Sequence, residues 1–212
     1  MKIKKLGHCC LIIEENGTRI MTDPGSWTIE EQKKELNIDL IIITHEHQDH
    51  IHIESLKRII ENSPKAVVIT NEGVGKLLEE IGVEYKILED KVPKDFLGIE
   101  IEAHDCKHEE IFEEIGQVQN TAYFINKRLF YPGDAFYNPG KSVEILALPV
   151  AGPWTNVKDP IKYALEINPK ICFPVHDGML ISFGANHRVP EMILEKSGIV
   201  FKNFEVNKEE VF

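Results

Sequence analysis

A run of six polar residues, HEHQDH at positions 45–50, follows an apolar run at positions 40–43 and constrains the fold more than any other feature. An unbroken apolar run of this kind is typical of a strand buried on both faces, which needs helices against its sheet. The six residues therefore stand at the end of a buried strand, where the chain turns. Three imidazoles and one carboxylate in a single turn match the preferred ligands of a dication such as zinc.

The spacing of these ligands predicts two neighbouring metal sites. In an extended segment the side chains at positions i and i+2 point to the same side, so His45 and His47 would face one cation. The chain then turns, and Asp49 and His50 can face a second cation a few ångströms away. Each cation needs about four ligands, so the remaining ones must come from other strand ends.

Four other short motifs accompany the hexapeptide along the chain. They are GHCC at 7–10, TDPG at 22–25, YPGD at 131–134 and PVHD at 174–177. Together with HxHxDH they make the chain similar to the metallo-β-lactamase superfamily, and the first two resemble the small stand-alone members of its ascorbate-6-phosphate-lactonase-like branch. The resemblance runs over most of the chain and implies a metal-dependent hydrolase.

The fold that this resemblance implies is α/β (α+β), a four-layer αββα sandwich of two mixed sheets flanked by helices. The sequence agrees, because strands come first in each half of the chain and helices follow, with no linker or repeat to divide a single domain at 1–212. Asn16-Gly17 and Asn126-Lys127 predict hairpin turns. Strands are predicted at 9–15, 18–23, 39–44, 66–70, 84–89, 98–104, 121–131 (a hairpin), 144–150, 171–175 and 201–206, and helices at 53–62, 71–81, 159–167 and 190–196.

Two further ligands follow from the resemblance. Asp134 projects from a Pro-Gly turn, and its two carboxylate oxygens would bridge both cations. His176, at the end of a buried strand, would bind the second cation. With one more histidine, the predicted metal ligands are His45, His47, Asp49, His50, His108, Asp134 and His176. Asp49 is also the predicted catalytic residue, which would hold the attacking water.

The third histidine of the first site has two candidates, His104 and His108. In the family this histidine lies in a loop a few residues beyond a strand end. His108 fits that position when counted back from the predicted strand at 121, whereas His104 lies nearer the preceding strand. We therefore expect His108 to be the ligand, with a shared i, i+4 site as the alternative.

Four residues are predicted to support or line the site. Asp23, at a strand end, can accept a hydrogen bond from a metal-bound histidine. His8 and Trp154 are expected to line the pocket, and His104 belongs to the same group if it is not a ligand. For His52 and His187 the sequence does not decide between a position on the surface and one at the rim of the pocket.

The chemistry of such a site is hydrolysis. Two divalent ions, most simply Zn²⁺ with Mn²⁺ or Fe²⁺ as alternatives, would activate water to cleave a lactone or other ester, an amide or a phosphodiester of a small-molecule substrate. Related di-iron oxygen and nitric oxide reductases commonly place Glu where this chain has His47. The alternatives are a phosphodiesterase or ribonuclease, a mononuclear iron dioxygenase or thioester hydrolase, and a non-catalytic metal-binding protein.

Charge and apolar content limit the partners. The formal net charge is −11, from 24 Lys+Arg and 35 Asp+Glu, which disfavours a nucleic acid partner because such surfaces need clustered cations. No apolar run approaches the ~20 residues of a membrane span. The oligomeric state is open, and a homo-oligomer is one possibility.

The cysteines and the N-terminal segment indicate a compartment. Cys9 and Cys10 are adjacent, which is a poor disulfide framework, and Cys106 and Cys172 are the only others. The segment after Met1 is charged, but its apolar stretch is short and has no small-residue cleavage site. The expected location is the cytoplasm.

Overall fold

The structure, a computed structural model, describes residues 1–212 and contains two seven-stranded sheets that face each other. The first sheet has the order β14-β1-β2-β3-β4-β5-β6 and the second the order β13-β12-β11-β10-β9-β8-β7, with the following strand bounds: β1 Lys2–Gly7, β2 Cys10–Glu15, β3 Thr18–Thr22, β4 Leu40–Ile42, β5 Val67–Thr70, β6 Lys86–Ile87, β7 Lys94–Phe96, β8 Ile99–Lys107, β9 Gln119–Ile125, β10 Leu129–Tyr131, β11 Ile145–Pro149, β12 Ile171–Val175, β13 Val200–Phe201 and β14 Glu209–Val211.

Five helices complete the fold: α1 Ile29–Gln32, α2 Ile53–Asn62, α3 Glu72–Glu80, α4 Lys158–Ile167 and α5 Gly184–Lys196. The longest, α5, has 13 residues, and none of the five is long and apolar enough to cross a membrane.

Each sheet is mixed. The strands from β3 to β6 run parallel and those from β14 to β3 antiparallel, while in the second sheet the strands from β10 to β13 run parallel and those from β7 to β10 antiparallel. Each half of the chain therefore supplies one sheet, except that β14 returns to pair with β1 of the first.

Alternation along the strands produces the layers. In β4, Leu40 and Ile42 point into the core between the sheets, whereas Ile41 packs on the opposite face in the core that includes Leu56 of α2. In the second sheet, Phe130 and Leu146 pack in a separate core with residues of α4 and α5. Three cores between four layers give the predicted αββα sandwich, and the prediction of this fold class is confirmed.

Several local predictions are confirmed by the backbone. Asn16 and Gly17 have φ of 51° and 80°, as a tight hairpin turn requires. Asn126 and Lys127 have φ of 49° and 56° and join β9 to β10. Asn71 accepts a hydrogen bond from the backbone N–H of Val74 at 3.0 Å and so caps α3.

Two helix starts were predicted wrongly. Asp159 is not the N-cap of α4, since the helix begins at Lys158 after Val157, and the Asp159 carboxylate instead accepts from the backbone N–H of Asn156 at 3.2 Å. Helix α5 begins at Gly184 rather than at Pro190, which lies buried inside the helix. Pro190 cannot donate a helical hydrogen bond, and the burial of its side chain offsets that loss.

The prediction of one terminal strand at 201–206 was also wrong. Strand β13 ends at Phe201, and the chain then crosses to the first sheet, where β14 pairs antiparallel with β1. The crossing is held by Phe204 and Phe212, whose rings lie 5.2 and 5.5 Å from that of Phe173.

Candidate metal centre

The predicted ligands converge where the parallel strands of both sheets end. Asp23 follows β3, and the hexapeptide at 45–50 begins three residues after β4. From the other sheet, Asp134 follows β10 and His176 follows β12 directly. The carboxyl ends of parallel strands are where open α/β sheets usually bind ligands. A backbone hydrogen bond from Thr121 N–H to Thr44 O, 3.0 Å long, joins the two sheets beside this point.

The first group of donors consists of His45, His47 and His108. One ring nitrogen from each lies within 4.8 Å of the others. The rings of His45 and His108 are 5.0 Å apart between centroids, and those of His47 and His108 are 4.6 Å apart. His45 and His108 are buried and His47 is half-buried. The structure thus places together the three histidines that the sequence assigned to the first site.

The second group consists of Asp49, His50, Asp134 and His176, again with one donor atom from each within 4.8 Å of the others. His50, Asp134 and His176 are buried, while Asp49 is partly exposed. The group contains two imidazoles and two carboxylates, and zinc, manganese and iron all bind such ligands.

Asp134 lies between the two groups. Its Oδ2 is 3.3 Å from His108 Nε2 and 2.8 Å from His176 Nε2, and its Oδ1 is 3.2 Å from His50 Nε2. Gly133, with φ of 63°, makes the turn that directs this side chain inward, and a Cβ there would lie 2.4 Å from Asn120 Oδ1. One carboxylate therefore reaches the donors of both groups.

Several donor atoms lie close together without forming hydrogen bonds. His50 Nε2, His176 Nε2 and Asp134 Oδ1 are buried and have no hydrogen-bond partner, although the nitrogens lie 3.2 and 2.8 Å from carboxylate oxygens of Asp134. Buried polar atoms are rarely left unpaired, and here they surround a common point. This arrangement fits bound cations, so the residues present satisfy the requirements of a metal centre.

The electrostatics of the centre favour ionised carboxylates. Burial alone would raise the pKa of Asp134, but the imidazoles of His176, His50 and His108 outweigh it and hold that pKa well below its usual range. The pKa of Asp49 is likewise lowered by His176, His8 and His50 against the effect of burial. For His45, burial and the neighbouring His50 lower the pKa, which leaves the imidazole neutral, as ligation requires.

Asp23 orients a ligand from behind. Its Oδ2 accepts from His50 Nδ1 at 2.7 Å, from the hydroxyl of Tyr131 at 2.6 Å and from that of Thr44 at 2.9 Å, while its Oδ1 accepts from the backbone N–H of Thr44 at 2.8 Å. With Nδ1 held by Asp23, His50 directs its Nε2 toward the centre. Asp23 thus lies behind His50, where the sequence analysis expected a supporting residue.

The loop of the TDPG motif also packs directly on the hexapeptide. A Cβ at Gly25 would lie 1.8 Å from the carbonyl oxygen of Asp49, so only glycine fits there. The backbone N–H of Ser26 donates to Gln48 O at 2.8 Å. This contact holds the turn that carries Asp49 and His50.

His8 contacts Asp49. Its Nδ1 accepts from the backbone N–H of Gly178 at 3.1 Å, so its Nε2 carries the proton and donates to Asp49 Oδ2 at 3.2 Å. Burial lowers the pKa of His8 to about 4, so the ring is neutral near pH 7. The prediction placed His8 at the pocket wall, and the structure adds this specific hydrogen bond.

His104 lies outside both groups. It stands opposite Ala122 on the outer face of the second sheet, its ring 5.3 Å from that of Tyr137 and its Nε2 2.9 Å from Glu102 Oε1. Its neighbour Ala103 points into the core between the sheets. The structure therefore corrects the assignment of His104 to the pocket, because the two-residue period of β8 turns this side chain away from the centre.

Trp154 borders the centre, as expected of a pocket wall. Its indole N–H donates to Asp134 Oδ2 at 3.1 Å, and its ring lies 5.9 Å from that of His108 and 5.5 Å from that of His176. The two histidines left open have other contacts. His52 accepts from the backbone N–H of Ser55 and caps α2, and His187 lies 2.9 Å from Asp177.

Two residues of the centre had no role in the sequence interpretation. Thr44 links Asp23 to His45, since its hydroxyl donates to Asp23 and lies 3.0 Å from His45 Nδ1. Tyr131 donates to Asp23 from the other sheet. Thr44 stands next to the hexapeptide and Tyr131 is the first residue of the YPGD motif, and these positions were the available signal.

Comparison with known proteins agrees with this geometry. Residues 2–176 match the model of the β-lactamase superfamily domain. A UPF0173 protein of Pyrococcus furiosus is 31% identical over 188 residues, covering 84% of each chain. A protein of Carboxydothermus hydrogenoformans named UPF0173 metal-dependent hydrolase is 26% identical over 201 residues, covering 83% of this chain and 84% of its own.

A solved structure shares the fold. Igni18, described as a novel metallo hydrolase from the archaeon Ignicoccus hospitalis, superposes with a TM-score of 0.78 at 17% identity and covers 100% of this chain and 97% of its own. The likeness concerns the arrangement of sheets and helices.

Proposed function

We propose that this chain, which belongs to the β-lactamase superfamily and is a metal-dependent hydrolase, cleaves a neutral carbonyl substrate with two divalent cations. The proposed substrate is a lactone, another ester or an amide. Zinc is the proposed metal, with manganese or iron as alternatives, because the donor set contains imidazoles and carboxylates and the first group contains only imidazoles.

The observation that carries the proposal is the position of Asp134. Its two carboxylate oxygens lie within 3.3 Å of nitrogens from His108, His176 and His50, which belong to different groups. A carboxylate in this position could bind one cation in each group through its two oxygens. The buried, unpaired atoms around it support the same interpretation.

Divalent cations held by the two groups of donors would supply Lewis-acid activation of water and of the substrate carbonyl. The protein's own residues then have separate tasks. Asp49 Oδ2 accepts from His8 and lies 3.4 Å from His176 Nε2, so the carboxylate faces the centre, and we propose that it also accepts a hydrogen bond from the attacking water and orients it. Trp154 and the buried rings of His45 and His176 keep bulk water from that side of the centre.

Charge near the centre favours a neutral substrate over a phosphodiester. The loop that follows His108 carries Glu109, Glu110, Glu113 and Glu114, and residues 109–118 include no Lys or Arg. Glu109 lies next to the centre, since its backbone N–H donates to Asp134 O at 2.8 Å. The negative charge of a loop that begins beside the centre would disfavour an anionic phosphodiester more than a neutral ester or lactone.

The test is a substrate panel with defined metal content. The protein is stripped with chelator, reconstituted with Zn²⁺, Mn²⁺ or Fe²⁺, and assayed with γ- and δ-lactones, p-nitrophenyl acetate, an anilide, a thioester and bis-p-nitrophenyl phosphate. We expect metal-dependent cleavage of lactone or ester, abolished in Asp49→Ala and retained in the matched control His104→Gln. Cleavage confined to the phosphodiester, or equal rates with and without metal, would overturn the proposal.

A further inference from the structure

Cys9 places a sulfur atom beside the second group of donors. It stands between His8 and the start of β2, it is 2% exposed, and it belongs to the core between the two sheets. Its carbonyl oxygen accepts from the hydroxyl of Thr22 at 2.8 Å and lies 2.8 Å from the hydroxyl of Tyr131, whose one proton is shared with Asp23 Oδ2. The backbone of Cys9 is therefore fixed from both sheets, and its side chain has a defined position at the base of the centre.

The Sγ of Cys9 has the distances expected of a donor to the same cation. Cys9 Sγ and one ring nitrogen each from His8, His50 and His176 all lie within 4.8 Å of one another. Two of these residues, His50 and His176, also form the second group with Asp49 and Asp134. The pair His50 and His176 thus belongs to two groups of donors, one completed by carboxylates and the other by His8 and a thiol.

The unpaired ring nitrogens of His176 and His50 point to a ligand at this place. His176 is 1% exposed, and both of its ring nitrogens are buried without a hydrogen-bond partner. The Nε2 of His50, also buried, has no partner either. These nitrogens belong to the two residues that share the space with the Cys9 sulfur.

The neighbouring cysteine shows that the placement is specific. Cys10 is equally buried, but the alternation along β2 turns it to the opposite face, where it packs in the core that includes Leu56 and Ile59 of α2. Two adjacent cysteines of equal burial therefore differ in a single respect, because only Cys9 faces the centre.

We propose that Cys9 is a further ligand of the cation held by His50 and His176. Binding would form one sulfur–metal bond and release the thiol proton to solvent, without a change in oxidation state. A thiolate makes this position softer than the first site, so it would favour zinc, cadmium or cobalt over manganese. The inference rests on the proposed two-metal function and adds a ligand to it.

Cobalt titration tests the inference by a readout other than activity. Metal-free protein is titrated with Co²⁺, and the near-ultraviolet thiolate-to-cobalt charge-transfer absorption is recorded together with bound cobalt per chain. We expect the band to develop with the second equivalent in the wild type, to persist in Cys10→Ser and to be absent in Cys9→Ala. Cys9→Ala should bind the second Co²⁺ at least 10-fold more weakly, with the first unaffected.

The outcomes separate the two proposals. If two Co²⁺ bind and the enzyme hydrolyses substrate but no charge-transfer band forms, or if the band persists in Cys9→Ala, the role of Cys9 is wrong and the two-metal function stands. If the wild type binds no Co²⁺ at all, the two-metal proposal fails and the inference fails with it. Circular dichroism of Cys9→Ala and of a second variant, Cys9→Ser, distinguishes a lost ligand from a lost fold.

Discussion

Asp23 Oδ2 lies 2.7 Å from Nδ1 of His50, and both side chains are completely buried. The contact joins the end of β3 to the turn after β4 and fixes which nitrogen of His50 faces Asp134. It also connects the two sheets, because Tyr131 of β10 donates to the same oxygen of Asp23. The orientation of a proposed ligand is thus set by residues that never touch the cation.

Substitution Asp23→Asn should weaken metal binding without abolishing it. The amide can accept from only one side and cannot stabilise the proton on His50 Nδ1 as a carboxylate does, and loss of such a supporting contact typically costs 10–100-fold in metal affinity. Competition with a chelator measures this change. The matched control is Asp39→Asn. The Asp39 carboxylate accepts a hydrogen bond from the backbone N–H of Arg19, near the start of β3, whereas Asp23 follows the end of that strand. Equal affinities for wild type and Asp23→Asn would show that the contact does not orient the ligand.

Substitution His8→Asn should lower the rate of hydrolysis without lowering the metal content. His8 holds Asp49 by one hydrogen bond from Nε2, and its Nδ1 accepts from the backbone N–H of Gly178, so both ring nitrogens already have partners. We expect kcat to fall about 10–100-fold while two metals per chain remain bound. The measurement is kcat with elemental analysis of the same sample. A parallel loss of metal would instead assign His8 to the ligand set.

The same variant should change the acid sensitivity of the metal-free protein. The pKa of His8 is about 4 in the folded state and 6.5 in the unfolded chain, so the unfolded chain binds more protons between these values and stability falls as pH drops from 6.5 to 4. The contribution is about 3 kcal/mol at most. Urea unfolding at several pH values should show a smaller loss over this window in His8→Asn. Identical profiles would mean that His8 is protonated without cost in the fold.

Much of this fold follows from local patterns in the sequence. Asn16-Gly17 specifies its hairpin because both residues tolerate positive φ, and Asn71 caps α3 through its own side chain. The apolar run at β4 predicts a buried strand. Each of these depends on a few neighbouring residues, which is why each could be predicted.

The features that were missed depend on distant parts of the chain. The return of β14 to β1 joins residues about two hundred positions apart, and no local pattern in either strand specifies the partner. The exclusion of His104 required the register of β8, because one residue of shift would turn it into the centre. Tyr131 contacts Asp23 across the gap between the sheets, which the sequence alone cannot reveal.

The choice between His104 and His108 gives a direct test of the first site. His108 Nε2 lies 3.3 Å from Asp134 Oδ2, whereas His104 packs on the outer face of the sheet. We expect His108→Ala to lose about one metal per chain and His104→Ala to keep both. Elemental analysis after dialysis against metal-free buffer checks both variants. Greater loss in His104→Ala would reverse the assignment.

A buried ion pair beneath the His176 turn should contribute strongly to stability. Lys5 Nζ lies 2.7 Å from Asp177 Oδ1 and donates to Pro174 O at 2.8 Å, with side-chain exposures of 5% and 2% for the pair. Lys5→Met leaves a buried carboxylate with only His187 as partner and should cost about 3–5 kcal/mol in the free energy of unfolding. Lys208→Met, which removes an exposed pair with Glu205, should cost less than about 1 kcal/mol. Similar losses in both would show that the pair is not effectively buried.

The shared carboxylate of Asp134 is the central claim, and anomalous diffraction from zinc-loaded crystals tests it most directly. The expected result is two anomalous peaks about 3.5–4 Å apart, one near His45, His47 and His108 and the other near His50 and His176, with Asp134 in contact with both. A single peak, or two peaks of which only one contacts Asp134, would contradict it.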